Sequence, residues 1–135
     1  MSAASNYLEN KVLDHVLGGS SYSQPASLYV GLFTNTSGSA ATNLEAGTLT
    51  DEVSGGSYAR KAATFSAASS GTASTSATIT FDAATANWGT ITHVAIIDAS
   101  TSGNVLFWGA VTTSKTIESG DTFQISGSNL SVSLA

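Results

Sequence analysis

The side chains that could do chemistry are few: His15, His93, the turn-flanking acids Asp98, Glu118 and Asp121, the basic pair Arg60-Lys61, and two tryptophans, Trp88 and Trp108. Acyl transfer needs a nucleophile on a sharp turn beside oxyanion donors, and the sequence contains no G-x-S-x-G to provide one. His15 falls in a helical pattern. His93 alternates with Val94 in an apolar run, which reads as a strand residue bonded to a neighbour. No H-x-x-x-H spacing offers a zinc site. Asp98, Glu118 and Asp121 could converge at one end of a sheet and hold calcium through oxygen, but their spacing matches no calcium loop. They read as solvated turn acids. Trp88 and Trp108 could stack on a sugar, yet both lie in strongly apolar surroundings, so core packing is expected. Arg60-Lys61 reads as an ion-pairing site or a subunit contact rather than an anion pocket. With no cysteine, disulfides and thiolate metal sites are excluded, and the redox compartment stays open. Neither an enzyme, a metal nor a cofactor is expected.

The element that must position these groups is a central hairpin. Ile91-Thr92-His93-Val94-Ala95-Ile96-Ile97-Asp98 and Val105-Leu106-Phe107-Trp108-Gly109-Ala110-Val111 are rich in β-branched and aromatic residues, which suit a pleated, half-buried surface. The turn-formers 99–104 separate them. Leu28 to Thr34 reads as a second central strand, apolar on both faces, in which Gly31 leaves room for a neighbouring side chain or a bulge. Weaker strands are expected over Tyr58–Phe65, Ala77–Phe81, Lys115–Glu118, Thr122–Ile125 and Asn129–Leu134, with Ala77, Ile79 and Phe81 inward. The low-complexity stretch 66–76 reads as a long turn. The count of about seven or eight short strands predicts an all-β chain, a single antiparallel β-sandwich or jelly-roll-like domain.

One helix precedes this body. Over residues 5–18, Leu8, Val12, Leu13, Val16 and Leu17 follow a 3.6-residue period, with Ser5 or Asn6 as cap, Glu9 three after Asn6 as a capping box asks, and Gly18-Gly19 as the stop. Its apolar stripe needs a partner, so Leu8, Val12, Leu13 and Leu17 are candidate interaction residues, joined by Arg60 and Lys61. The body runs 28–135, and its loop 35–56 is too polar to form a core of its own, which suggests ordering on a partner. The whole, 1–135, is one domain.

Composition sets the remaining limits. Charged residues are 10% of the chain and the net charge is −5, with Lys11, Arg60, Lys61 and Lys115 as the four cations. That cannot supply the clustered basic surface that nucleic acid or an anionic membrane requires. No apolar run of ~18 residues could span a membrane, and the N-terminus lacks a signal-peptide pattern. Synthesis and assembly in a cytosol are expected. A surface hydrated by Ser, Thr and Asn does little to hold like molecules apart.

Several segments carry a family likeness. Asn6-Tyr7-Leu8-Glu9-Asn10, Leu13-Asp14-His15, Leu28 to Thr34, and Glu52-Val53-Ser54-Gly55-Gly56-Ser57-Tyr58-Ala59-Arg60 resemble a family of small tailed-bacteriophage virion structural proteins. Ala86-Asn87-Trp88-Gly89-Thr90-Ile91-Thr92-His93, Leu106-Phe107-Trp108-Gly109 and Ser119-Gly120-Asp121-Thr122-Phe123 agree as well. The likeness spans nearly the whole chain and departs at the long 35–51 insert. It implies a virion component without catalysis, commonly a homotrimer, whose partners are other virion proteins. Three roles follow from it. The first is a capsid decoration (cement) protein bridging subunits of the major capsid protein. A tail-fibre or tail-adaptor subunit contacting tail proteins is the second, and a carbohydrate-binding module the third.

Overall fold

In the computed structural model, which describes residues 3–134, the chain forms nine strands and two helices. Met1, Ser2 and Ala135, which the single-domain expectation includes, lie outside the described residues. The order is β1 (Ala3–Ala4), α1 (Asn6–Leu17), β2 (Leu28–Phe33), α2 (Ala40–Glu45), β3 (Lys61–Ala63), β4 (Thr72–Ser74), β5 (Ile79–Thr80), β6 (Gly89–Ile97), β7 (Val105–Ile117), β8 (Gln124–Ile125) and β9 (Ser131–Ser133). Strand makes up 36% of the described residues against 14% helix, so the class is all-β and sandwich-like, as the sequence pattern implied.

The main sheet is antiparallel, in the order β1-β7-β6-β2-β3. The central hairpin β6–β7 is its middle, and β2 lies beside β6 through Val30↔Ile96 and Leu32↔Val94. Two small ribbons, β4–β9 and β5–β8, pair separately and form the opposing layer. The principal core lies between these layers: Val30, Leu32 and Ile91 meet Ile79, Phe81 and Phe123, with Trp88 at its edge. On the sheet's other face Phe33, Ala95, Ile97 and Val105 are covered by Leu44 of α2.

Four expectations fail locally, each for a definable reason. The stretch 66–76 is not only a turn: Thr72–Ser74 pairs with Ser131–Ser133, a long-range ladder of small polar residues with no apolar alternation to announce it. Lys115 does not begin a new strand, because β7 runs unbroken from Val105 to Ile117 across a bulge. Register passes from His93↔Ala110 to Ile91↔Lys115, so that Thr92 alone faces Val111-Thr112-Thr113-Ser114. Such an insertion bends the strand and unpairs its extra residues. Ala77 is exposed rather than inward, since pairing starts only at Ile79. Loop 35–56 is the largest correction. It folds on its own chain, with Ala40 and Leu44 of α2 each 1% exposed.

Helix α1 is capped by Ser5 and not by Asn6, its first helical residue. The Ser5 hydroxyl accepts the Leu8 amide at 3.3 Å, which puts Leu8 rather than Glu9 at the capping-box position. Ser5 is itself pinned to β7: its amide donates to the Leu106 carbonyl at 2.9 Å and its hydroxyl to the Val105 carbonyl. Gly18, left-handed with φ 90°, closes the helix by donating to the Asp14 carbonyl.

Candidate assembly surfaces

Of the two ion pairs among the described residues, Arg60 with Glu52 serves the chain's interior. Glu52 follows β2's partner loop and faces three donors. Arg60 approaches it side-on, Nε to Oε2 at 2.6 Å and Nη2 to Oε1 at 2.7 Å, while Tyr58 donates its hydroxyl to Oε2 at 2.8 Å. The Tyr58 oxygen in turn accepts the Leu32 amide at 2.9 Å. Arg60 Nη1 also donates to the carbonyls of Ala99 and Ser102, at 2.8 and 2.7 Å, in the turn of the central hairpin. A bidentate Arg–carboxylate pair of this kind is among the stronger polar contacts. Its hydrogen bonds to Glu52 hold the Arg60 guanidinium charged even beyond its ordinary range, against the cost of burial. Burial, and then the Glu52 charge, push the Tyr58 hydroxyl far up, so it remains a donor. Gly31 makes this packing possible: a Cβ there would stand 3.1 Å from Glu52 Oε2 and 3.2 Å from Ile97 Cδ1. The room that the glycine leaves is filled by a carboxylate and an isoleucine tip.

Asp51, 4% exposed, organises the start of the same loop. Its carboxylate accepts from Ser37 Oγ at 2.5 Å, from the Ser37 amide at 3.0 Å and from Thr36 Oγ1 at 3.2 Å. The Ser37 hydroxyl is the main reason its acidity is raised, so its pKa lies below the usual carboxylate value. Glu45 on α2 accepts the Trp108 indole N–H at 2.7 Å. His93 lies beside that indole, ring centroids 6.2 Å apart, and burial lowers its pKa and favours neutral imidazole.

The turn acids are used locally and lie apart. Asp98 accepts the Asn104 amide at 2.7 Å, and Asp121 accepts the Glu118 amide at 2.9 Å. Among the described residues no cluster of three His, Cys, Asp or Glu side chains could hold a metal ion. Trp88 is 6% exposed and packs edge-on against Tyr58 at 5.5 Å, while its indole donates to the Gly56 carbonyl at 2.9 Å. Gly56 sits so close that a Cβ would fall 2.9 Å from that indole nitrogen. Trp108 is half-buried. Neither ring is a free platform.

What remains open is apolar. Of the candidate interaction residues, Leu8 is buried within its own chain and Val12 half-buried, whereas Leu13 and Leu17 are 55% and 77% exposed, with Val16 between them at 70%. The first turns of α1 are thus anchored on β7 and the last turns carry an uncovered stripe. Arg60 is spent inside the chain, and Lys61 bonds Asp82 at 2.9 Å on the surface. Pattern reading missed a second open feature. Between the main sheet and the β4–β9 ribbon lie two adjoining clefts of about 210 and 220 Å³, which share Ile96, Phe107 and Val132 as a common wall. The first is bounded by Ile125 and Leu130, the second by Phe65, Leu106 and the 59%-exposed Leu134. The only sequence signal was the alternation of Leu130, Val132 and Leu134 beside unexplained apolar residues on both faces of β7.

No helix of the described residues is long and apolar enough to cross a membrane. No curated protein matches the chain. A family model described as podophage GP4 fiber I protein gp80 matches residues 3–133. The chain belongs to that family and is a structural component of a tailed-phage virion.

Proposed function

We propose that this chain is a subunit of a fibre or fibre-adaptor part of the podophage virion, acting by surface complementarity and without catalysis. The observation that carries the reading is the family match over residues 3–133, whose description names a fiber protein. The open stripe of α1 and the neighbouring clefts supply contact area of the kind an assembled particle covers. The charged groups that could do chemistry are tied up in holding loops 34–60 and 98–104 to the body. Partners are other virion proteins, and a small domain gains from combining several weak contacts in a homo-oligomer, for which a trimer is the reading.

A capsid decoration (cement) role is the second reading, favoured by a small β body with no coiled-coil shaft among the described residues. Locating the chain in a density map of the intact virion separates the two. Density in the tail-associated fibres is expected. Density spread over the capsid shell, together with easier rupture of heated particles lacking the protein, would replace the fibre reading with the cement one.

A further inference from the structure

We infer that the exposed stripe of α1 in one copy seats in the apolar cleft of another copy, giving a head-to-tail contact between unlike surfaces. Both halves of such a joint are present on one chain. Leu13, Val16 and Leu17 project from the last turns of a helix whose first turn is fastened to β7 by Ser5 and Leu8. The helix is therefore presented as a rigid knob, and little ordering is lost when it binds. On the receiving side, the cleft beside Leu134 is almost wholly apolar, lined by Leu28, Phe65, Ile96, Leu106, Phe107 and Val132, whereas its neighbour, also without a charged residue, presents Thr112, Asn129 and Ser131. Each is smaller than the ~300–1,000 Å³ of sites for drug-sized ligands. The space suits one or two aliphatic side chains.

The exposed area agrees with a missing partner. The chain exposes 7228 Å², whereas a compact monomer of 13.6 kDa exposes about 6,600 Å². The excess, roughly 650 Å², is of the order of the ~800 Å² that one patch contributes to a standard interface, and a head-to-tail assembly covers two such patches on each inner copy. Because knob and cleft are different patches, the contact is heterologous, and copies related by it close into a ring when the rotation permits. The inference concerns the isolated chain and does not depend on where in the virion it sits.

The test uses two full-length variants at exposed positions, Leu17→Asp on the knob and Leu134→Asp on the cleft rim, with folding checked by their melting temperatures. In sedimentation velocity the unmodified chain should associate. Each variant alone should show a dissociation constant raised about tenfold or more. A mixture of the two variants should form a one-to-one complex that grows no further, since one intact knob and one intact cleft remain. A helix-to-helix contact gives the opposite result, because Leu17→Asp would then weaken the mixed pair. An unmodified chain that stays monomeric, a Leu134→Asp variant that associates normally, or a mixture that stays monomeric would each overturn the inference.

Discussion

The two faces of the main sheet are closed in different ways. On one face, α2 lays Leu44 over Phe33, Ala95, Ile97 and Val105, and its loop is fastened by Asp51, Glu52 and Arg60. On the other, the ribbons seal the end around Phe81, Trp88 and Phe123 but stand away from the sheet near Ile96 and Phe107. A short helix can be drawn down by a few buried charges, whereas the β4–β9 ribbon, with Val132 as its one large apolar residue among Ser, Thr and Ala, has too few large side chains to fill the gap beneath it. The face rich in polar ties is complete, and the face that relies on apolar packing is left unfinished.

The largest expected effect sharpens that contrast. Phe33→Ala, at 0% exposure, should cost about 3–5 kcal/mol of unfolding free energy. Phe107→Ala, beside the open cleft, should cost only about 1–2 kcal/mol, since part of its surface is already in water. Denaturant titration of both variants compares them directly, and equal losses would mean that the two faces are packed alike.

Next comes the charge that ties down the closed face. Glu52→Ala leaves the Arg60 guanidinium, 3% exposed, without its carboxylate and should cost about 3 kcal/mol. The double variant Glu52→Ala/Arg60→Met should recover much of that loss, because the penalty comes from the uncompensated charge. No recovery in thermal unfolding would show that the pair's geometry, and not charge balance, is what matters.

A smaller effect depends on pH. Asp51 has a folded pKa below its ordinary 3.8, chiefly through the Ser37 hydroxyl. In the window between the two values the unfolded chain binds more protons, so stability rises with pH there. The contribution is complete above 3.8 and is lost as pH falls through the lower folded value. Asp51→Asn should therefore flatten the acid limb of the melting temperature profile while leaving its shape near neutrality unchanged. The smallest effect on stability is expected at the cleft rim: Leu134→Asp should change unfolding free energy by no more than about 0.5 kcal/mol.

The closed face and the open face were not equally legible. Helix α1, strand β2 and the hairpin β6–β7 carry strong periodicity, and the structure contains all three. The segment that closes one face was hidden because its apolar residues, Ala40, Ala41, Leu44, Ala46, Leu49 and Val53, are mostly small and are scattered without a period among Ser, Thr and Asn. Its order comes from Asp51 and Glu52 reaching partners as far as 15 residues away, which no local pattern encodes. The ladder Thr72–Ser74 with Ser131–Ser133 was equally silent, since hydroxyl-bearing strands look like turns when read singly. The helix stripe was legible as apolar and misleading in extent: Leu8 turned inward, and only the later residues remained exposed. The sequence shows that a surface wants covering, but the division between self and partner is set in three dimensions.

The bulge in β7 has a consequence for crowding. In a particle built from repeated copies, identical strand edges meet at high local concentration, and a straight, regular edge would template indiscriminate strand addition. Beyond Ser5, which bonds the Val105 and Leu106 carbonyls, and the short pairing with β1 at Phe107 and Trp108, no strand among the described residues pairs with the row of backbone groups on the outer side of β7. The insertion Val111–Ser114 breaks the spacing of that row midway, and the exposed Lys115 places a like charge at the same point on every copy. A second β7 laid alongside would find its hydrogen bonds out of step and its lysines opposed. The same three extra residues that spoil the hairpin's regularity thus work against indiscriminate edge-to-edge pairing of one β7 with another.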